Sequence, residues 1–135
     1  MSMIQRPTAV GLTLCQMLTV EEHTRNITLV NSFHRMYLDE FPSALVPFFV
    51  YTVLTDGLGE VKLDLVISRC DTLEDIYIRS FKTVFIDPLR QLQLYWHVRS
   101  CTCPSPGSYQ LSLEVDGESI TQCTLKIRRK GETHG

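Results

Sequence analysis

No stretch of the 135-residue sequence repeats apolar residues at helical spacing over three turns, so helical and α/β folds are not expected. Long hydrophobic runs are missing too. The longest, Ala44 to Leu54, is interrupted by Pro47, Tyr51 and Thr52 and falls short of the ~20 residues a spanning helix needs. There is little excess of charge: 13 Lys and Arg stand against 15 Asp and Glu, a formal balance of -2 with the signs scattered. Such a chain has no electrostatic footprint for nucleic acid or an anionic membrane. The only basic cluster, Lys126, Arg128, Arg129 and Lys130, reads as the solvated end of a last strand. Met1 to Val10 lacks the run of about 7–15 apolar residues of a secretory signal, so a cytoplasmic protein is expected. The five cysteines agree, because an odd count in a reducing compartment predicts free thiols. Repeats and linker-like shifts in composition are absent, which predicts one domain over 1–135 with its core at about 9–128 and a short disordered C-terminal tail.

What is present is period two, the mark of strands with one buried face. Val10, Leu12 and Leu14 alternate with polar or small residues over about 9–18. A second, less regular strand runs from Ile27 to Leu38, with a short helix over Ser32 to Phe41 as the alternative. Phe48 to Leu54, continuously β-branched and aromatic, predicts a central strand buried on both faces. Asp56-Gly57-Leu58-Gly59 reads as a hairpin, with glycine supplying positive φ. Val61, Leu63, Leu65 and Ile67 alternate cleanly. Ile76, Ile78, Phe81 and Phe85 follow as one strand or two, and Leu92, Leu94, Trp96 and Val98 as another. After Pro104-Ser105-Pro106-Gly107, Tyr109, Leu111, Leu113 and Val115 lead to the Asp116-Gly117 hairpin, and Cys123, Leu125 and Ile127 face inward from the closing strand. With 44 % apolar residues and roughly two-thirds of its surface buried on folding, such a chain builds a core without disulfides or metal.

The segment Pro104-Ser105-Pro106-Gly107-Ser108-Tyr109, followed by alternating apolars and Asp116-Gly117-Glu118, resembles the entry of immunoglobulin-like sandwiches into their final hairpin, where a tyrosine returns its hydroxyl to a backbone group. Over about residues 9–128 the chain also resembles a family of short, uncharacterised bacterial domains of unknown function. The residues that carry this likeness are Leu12-Thr13-Leu14-Cys15, Ile27 to Phe33, Phe41-Pro42, Gly59-Glu60 and the final hairpin. Cys103 departs from the aromatic residue that commonly precedes the first proline. The resemblance implies an antiparallel immunoglobulin-like β-sandwich of seven to eight strands, with no assigned activity and no catalytic residues to carry over.

The residues themselves give no active site. Cys101 and Cys103, with His97 upstream, are the only local group of soft ligands, and a second cysteine pair for a zinc knuckle is missing. The four histidines stand singly, with His134 in the tail. The carboxylates fall in turns, without the dense spacing of a calcium loop. No nucleophile elbow or glycine-rich phosphate loop occurs. A non-enzymatic protein is therefore expected, without cofactor or metal. Two features point to binding. Tyr95 and His97, flanked by Gln91, Gln93 and Arg99, would form an outward polar–aromatic strip, which Tyr51 and Tyr77 could join. The apolar Phe41–Phe49 segment would offer an exposed contact, against the plainer reading that it fills the core or covers a sheet edge. These support an accessory module with an unknown protein partner, or alternatively a carbohydrate or small-molecule binder; a metal or redox role for Cys101 and Cys103 is the weakest reading.

Overall fold

The computed structural model describes residues 4–131. These residues form twelve strand segments: β1 (Thr8–Ala9), β2 (Thr13–Val20), β3 (Ile27–Ser32), β4 (Arg35–Leu38), β5 (Ser43–Ala44), β6 (Phe48–Thr55), β7 (Gly59–Arg69), β8 (Asp75–Phe85), β9 (Leu92–Val98), β10 (Thr102–Cys103), β11 (Gly107–Val115) and β12 (Glu118–Arg129). No helix among the described residues is long and apolar enough to cross a membrane.

In the first sheet β6 is central. β9 runs antiparallel along one edge, Phe48 to Leu54 against Val98 to Leu92. The other edge is shared by β1, opposite Thr55 and Leu54, and β2, whose Thr13 to Cys15 oppose Tyr51 to Phe49. Between them Gly11 has φ of 76°, a left-handed kink that glycine takes without steric cost. β3 pairs with the far edge of β2. The second sheet has the order β4-β12-β11-β7-β8, all antiparallel except that β4 runs parallel to β12. β5 and β10 make a small separate ladder.

The two larger sheets turn apolar faces to one another. Phe48, Val50, Leu54, Trp96 and Val98 come from the first, and Leu63, Leu65, Ile67, Leu111, Leu113, Leu125 and Ile127 from the second. Phe81 and Trp96 meet across the interface at 4.9 Å between ring centroids. Burying each such side chain contributes about 1.5–3 kcal/mol relative to leaving it in water.

Several expectations are corrected. Periodicity counts seven or eight strands. The larger number arises because β1, β5 and β10 have only two residues each and the predicted Ile27–Leu38 strand divides. Its halves, β3 and β4, lie in different sheets, and the Ser32–Phe41 segment holds no helix. The second sheet is mixed, through the parallel β4–β12 pair, while the first sheet and the small ladder are purely antiparallel. Val10 is exposed rather than inward, because the chain kinks at Gly11. β6 is buried on one face only: Phe48, Val50, Thr52 and Leu54 point inward, while Phe49, Tyr51 and Val53 are half-buried on the outside. Asp56 to Gly59 is not a hairpin, since β6 and β7 belong to different sheets. Its positive φ values belong to Asp56 and Gly59, not Gly57. The Asp116-Gly117 hairpin forms as expected, with φ of 52° and 83°.

The Phe41–Phe49 segment contributes mainly core. Leu45 and Phe48 are buried, Phe41 packs against the core and takes the Arg129 guanidinium over its ring, and Val46 stays exposed.

Candidate functional site

Alternation along β9 sends Leu92, Leu94, Trp96 and Val98 inward and Gln93, Tyr95 and His97 outward. The antiparallel register then sets outward residues of β9 directly beside outward residues of β6: His97 beside Phe49, Tyr95 beside Tyr51, and Gln93 beside Val53. Such neighbours have Cβ atoms about 4.5–5.5 Å apart and pack as pairs. His97 lies flat on Phe49, with ring centroids 4.3 Å apart and planes 4° from parallel. Tyr95 is 44 % exposed and Tyr51 half-buried, so the ladder presents aromatic faces to solvent without spending them on the core. Thr13 of β2 extends the Tyr51 row, and Cys15, fully buried, extends the Phe49 row.

Of the sequence-predicted residues, Tyr95, His97 and Gln93 therefore share one face. Gln91 precedes β9 and lines the same cleft as Gln93 and Tyr95, of about 400 Å³, whose other wall is the β2–β3 hairpin tip with Thr24, Arg25 and Asn26. Arg99 lies beyond the end of β9, exposed. Tyr77 does not join: it opposes Ile67, whose side chain is in the core, and so lies on the inner face of the other sheet. Phe49 and Val53 were missed by sequence reasoning, which took β6 as buried on both faces. The hairpin tip was missed because only the tertiary fold brings it beside β9.

At the hairpin tip Glu21 accepts the backbone N–H groups of His23, at 2.9 Å, and Thr24. Those bonds, Thr24 foremost, hold its carboxyl below the usual glutamate range. The turn is thereby shaped by its own acid, and Arg25 takes a left-handed φ of 63°.

Cys101 and Cys103 are both buried, and the Cys103 thiol donates to the Ser105 carbonyl at 3.3 Å. Burial pushes the Cys101 thiol up to about 12, with Cys103 adding to the shift, and burial pushes Cys123 up to about 11. A thiol so far above neutral pH supplies almost no thiolate, the form that attacks electrophiles or binds metal. Among the described residues no three His, Cys, Asp or Glu side chains gather as a metal set. Only Cys70 is exposed. An alkylating or disulfide-exchange reagent at pH 8 is expected to titrate one thiol rapidly in the native protein and all five after denaturation. Cys70→Ser should remove the fast phase, and rapid reaction that survives this substitution would contradict the burial of Cys15, Cys101 and Cys103 and the raised thiol of half-buried Cys123.

Geometry thus defines an all-β domain with two sheets over a shared core and an aromatic ladder on one outer face. The chain belongs to a family of unknown function, DUF6941, whose model matches residues 11–128. No curated protein matches the sequence. Among solved structures, the chain is similar to part of the crystal structure of beta-D-glucoside glucohydrolase from Trichoderma reesei, at 10 % identity and a TM-score of 0.46. That similarity covers 90 % of this chain and 19 % of the fungal chain, so the domain spans about a fifth of the length of that protein.

Proposed function

We propose that this domain is a non-enzymatic, immunoglobulin-like module that binds a partner protein through the outer face of β6 and β9. The aromatic ladder of Phe49, Tyr51, Tyr95 and His97 carries this reading. Tyrosine offers large contact area at low entropic cost and keeps a polar handle, which suits an interface that must also remain soluble when free. The immunoglobulin-like assignment draws on the parallel pairing of β4 with the last strand and on Tyr109. That buried tyrosine, at the start of β11, donates its hydroxyl to the Ser105 carbonyl at 2.6 Å, the corner contact of such sandwiches. Five unpaired cysteines support a reducing, cytoplasmic setting.

A second reading, a carbohydrate site, is favoured by one observation: Gln91, Gln93 and Tyr95 converge on a single cleft with Asn26. Amide groups beside an aromatic face suit a sugar ring. The two are separated by Tyr95→Ala, expected to leave the melting temperature within about 2 °C because surface changes stay within ±0.5 kcal/mol. Under the protein-binding reading, affinity capture from the native cell recovers a partner with the wild type and loses most of it with Tyr95→Ala. If every captured protein is retained equally by the variant, the reading fails. Glycan binding that depends on Tyr95, without such a partner, establishes the second reading instead.

A further inference from the structure

We infer that the opposite outer face, on the second sheet, holds a binding site for a phosphate-type oxyanion, built from Arg35, Lys126 and Arg128 with the Ser108 hydroxyl. The sequence shows only the terminal cluster Lys126, Arg128, Arg129 and Lys130. Folding sorts these four residues into different surroundings. Arg129 lies over the Phe41 ring, 5.5 Å from its centroid, and Lys130 pairs with Asp39 at 3.8 Å. Lys126 and Arg128 flank the buried Ile127 and so point to the outer face, where β4 brings Arg35 directly opposite Lys126. On the other side of Lys126, β11 brings Ser108 directly opposite.

The row Arg35–Lys126–Ser108 therefore crosses three strands, with Arg128 two residues along the same face. Adjacent strands lie about 4.8 Å apart and alternate residues of a strand about 6.6 Å apart, so the three cationic stems rise from a patch the size of one hydrated phosphate. Pro106, Gly107 and Ser108 close one side of this patch in a cleft of about 300 Å³ that Lys126 and Arg128 also line. Ser108 and Gly107 are exposed, and space above Gly107 is open.

Among the described residues no carboxylate pairs with Arg35, Lys126 or Arg128. The nearest cleft beyond Ser108 holds Asp71, but both its oxygens accept from Arg69, at 3.1 and 3.0 Å. Like charges directly opposite one another across a ladder disfavour the pairing that makes them neighbours. Lys126 and Arg128 are half-buried, which places part of their stems where solvent screening is weaker. A doubly charged tetrahedral anion reverses the sign of this interaction. It offers enough acceptors for one guanidinium fork, an ammonium and a hydroxyl at once, and Arg is the residue that matches an oxyanion bidentately. No neutral ligand would relieve the same repulsion.

The site lies on the other sheet from the aromatic ladder, so the two stand or fall separately. The test is thermal unfolding and isothermal titration of the full chain with inorganic phosphate and with O-phosphoserine, against chloride at equal ionic strength. The wild type is expected to gain roughly 3 °C or more in phosphate over chloride, the response of a domain this size to ligand several-fold above its Kd. Lys126→Gln and Arg35→Gln are each expected to weaken anion binding about tenfold or more, while Lys62→Gln, on the same sheet but outside the patch, leaves it unchanged. The charge-neutral variants should themselves melt no lower than the wild type in chloride, since each removes a repulsion. A stronger response to O-phosphoserine assigns the anion to a phosphorylated segment, and a stronger response to inorganic phosphate assigns it to the free ion. Equal responses to phosphate and chloride, or equal binding by wild type and both patch variants, would overturn the proposal.

Discussion

Phe48→Ala is expected to lower the stability of the domain by about 3–5 kcal/mol, the cost of deleting a buried aromatic ring and leaving its cavity. Phe48 is fully buried in β6, opposite Val98, and meets Phe33 edge to face at 5.7 Å between centroids and 85° between planes. Such an aromatic pair adds about 0.5–1.5 kcal/mol beyond area burial. The loss is large against the ~5–15 kcal/mol that holds a typical domain folded. In a denaturant titration it should appear as a lower midpoint with an unchanged slope, because the same surface is exposed on unfolding. Phe48→Leu, which keeps most of the volume, should cost well under half as much. Val84→Ala, at a site 60 % exposed on β8, should change stability by less than about 0.5 kcal/mol. A similar loss from Val84→Ala and Phe48→Ala would refute the assignment of inner and outer faces.

Gly57→Ala is expected to cost about 1–3 kcal/mol through overpacking, although alanine adds one methyl group. A Cβ at position 57 would stand 2.6–2.8 Å from Cγ, Cδ1 and Cδ2 of Phe85, well inside normal carbon contact. Those atoms belong to the ring root, and Phe85 is buried and fixed opposite Gly59 at the end of the β7–β8 ladder. The ring therefore cannot swing away without moving the strand. Gly117→Ala is the control, since that position has φ of 83° with open space, and its cost is the roughly 1 kcal/mol of a left-handed backbone alone. The two are told apart by a double-mutant cycle with Phe85→Leu. Shrinking the ring should recover part of the Gly57→Ala loss and none of the Gly117→Ala loss. Additive effects of Gly57→Ala and Phe85→Leu would show that steric contact is not the cause.

Much of the strand pattern was legible because period two is a local property. Leu63, Leu65 and Ile67, Leu92 to Val98, and Tyr109 to Val115 each bury the alternate set the sequence marks. The outward placement of Tyr95 and His97 followed from the same rule. The rule failed in β6, where apolar residues on both faces reflect a core on one side and an aromatic ladder on the other. It failed again over Ile27–Leu38, since a change of sheet between β3 and β4 leaves no change of period.

Gly57 reads as a turn glycine beside Asp56, yet its need for hydrogen in place of Cβ comes from a ring 28 positions away in sequence. The basic cluster at the end of β12 reads as one group, yet β4, arriving in parallel from residue 35, completes half of it while Phe41 and Asp39 remove the rest. The aromatic strip likewise acquires Phe49 only through the β6–β9 register, which also sets Tyr51, one of two tyrosines the sequence offered, beside Tyr95. By itself, then, the sequence determined that the chain is all-β, which residues of its clear strands face inward, and where its final hairpin turns, because each of these depends on neighbours a few positions apart. The division into two sheets, the partners across each ladder, and hence every surface where side chains from different strands meet were decided by the tertiary structure, because strand pairing joins residues whose separation along the chain carries no periodic signal.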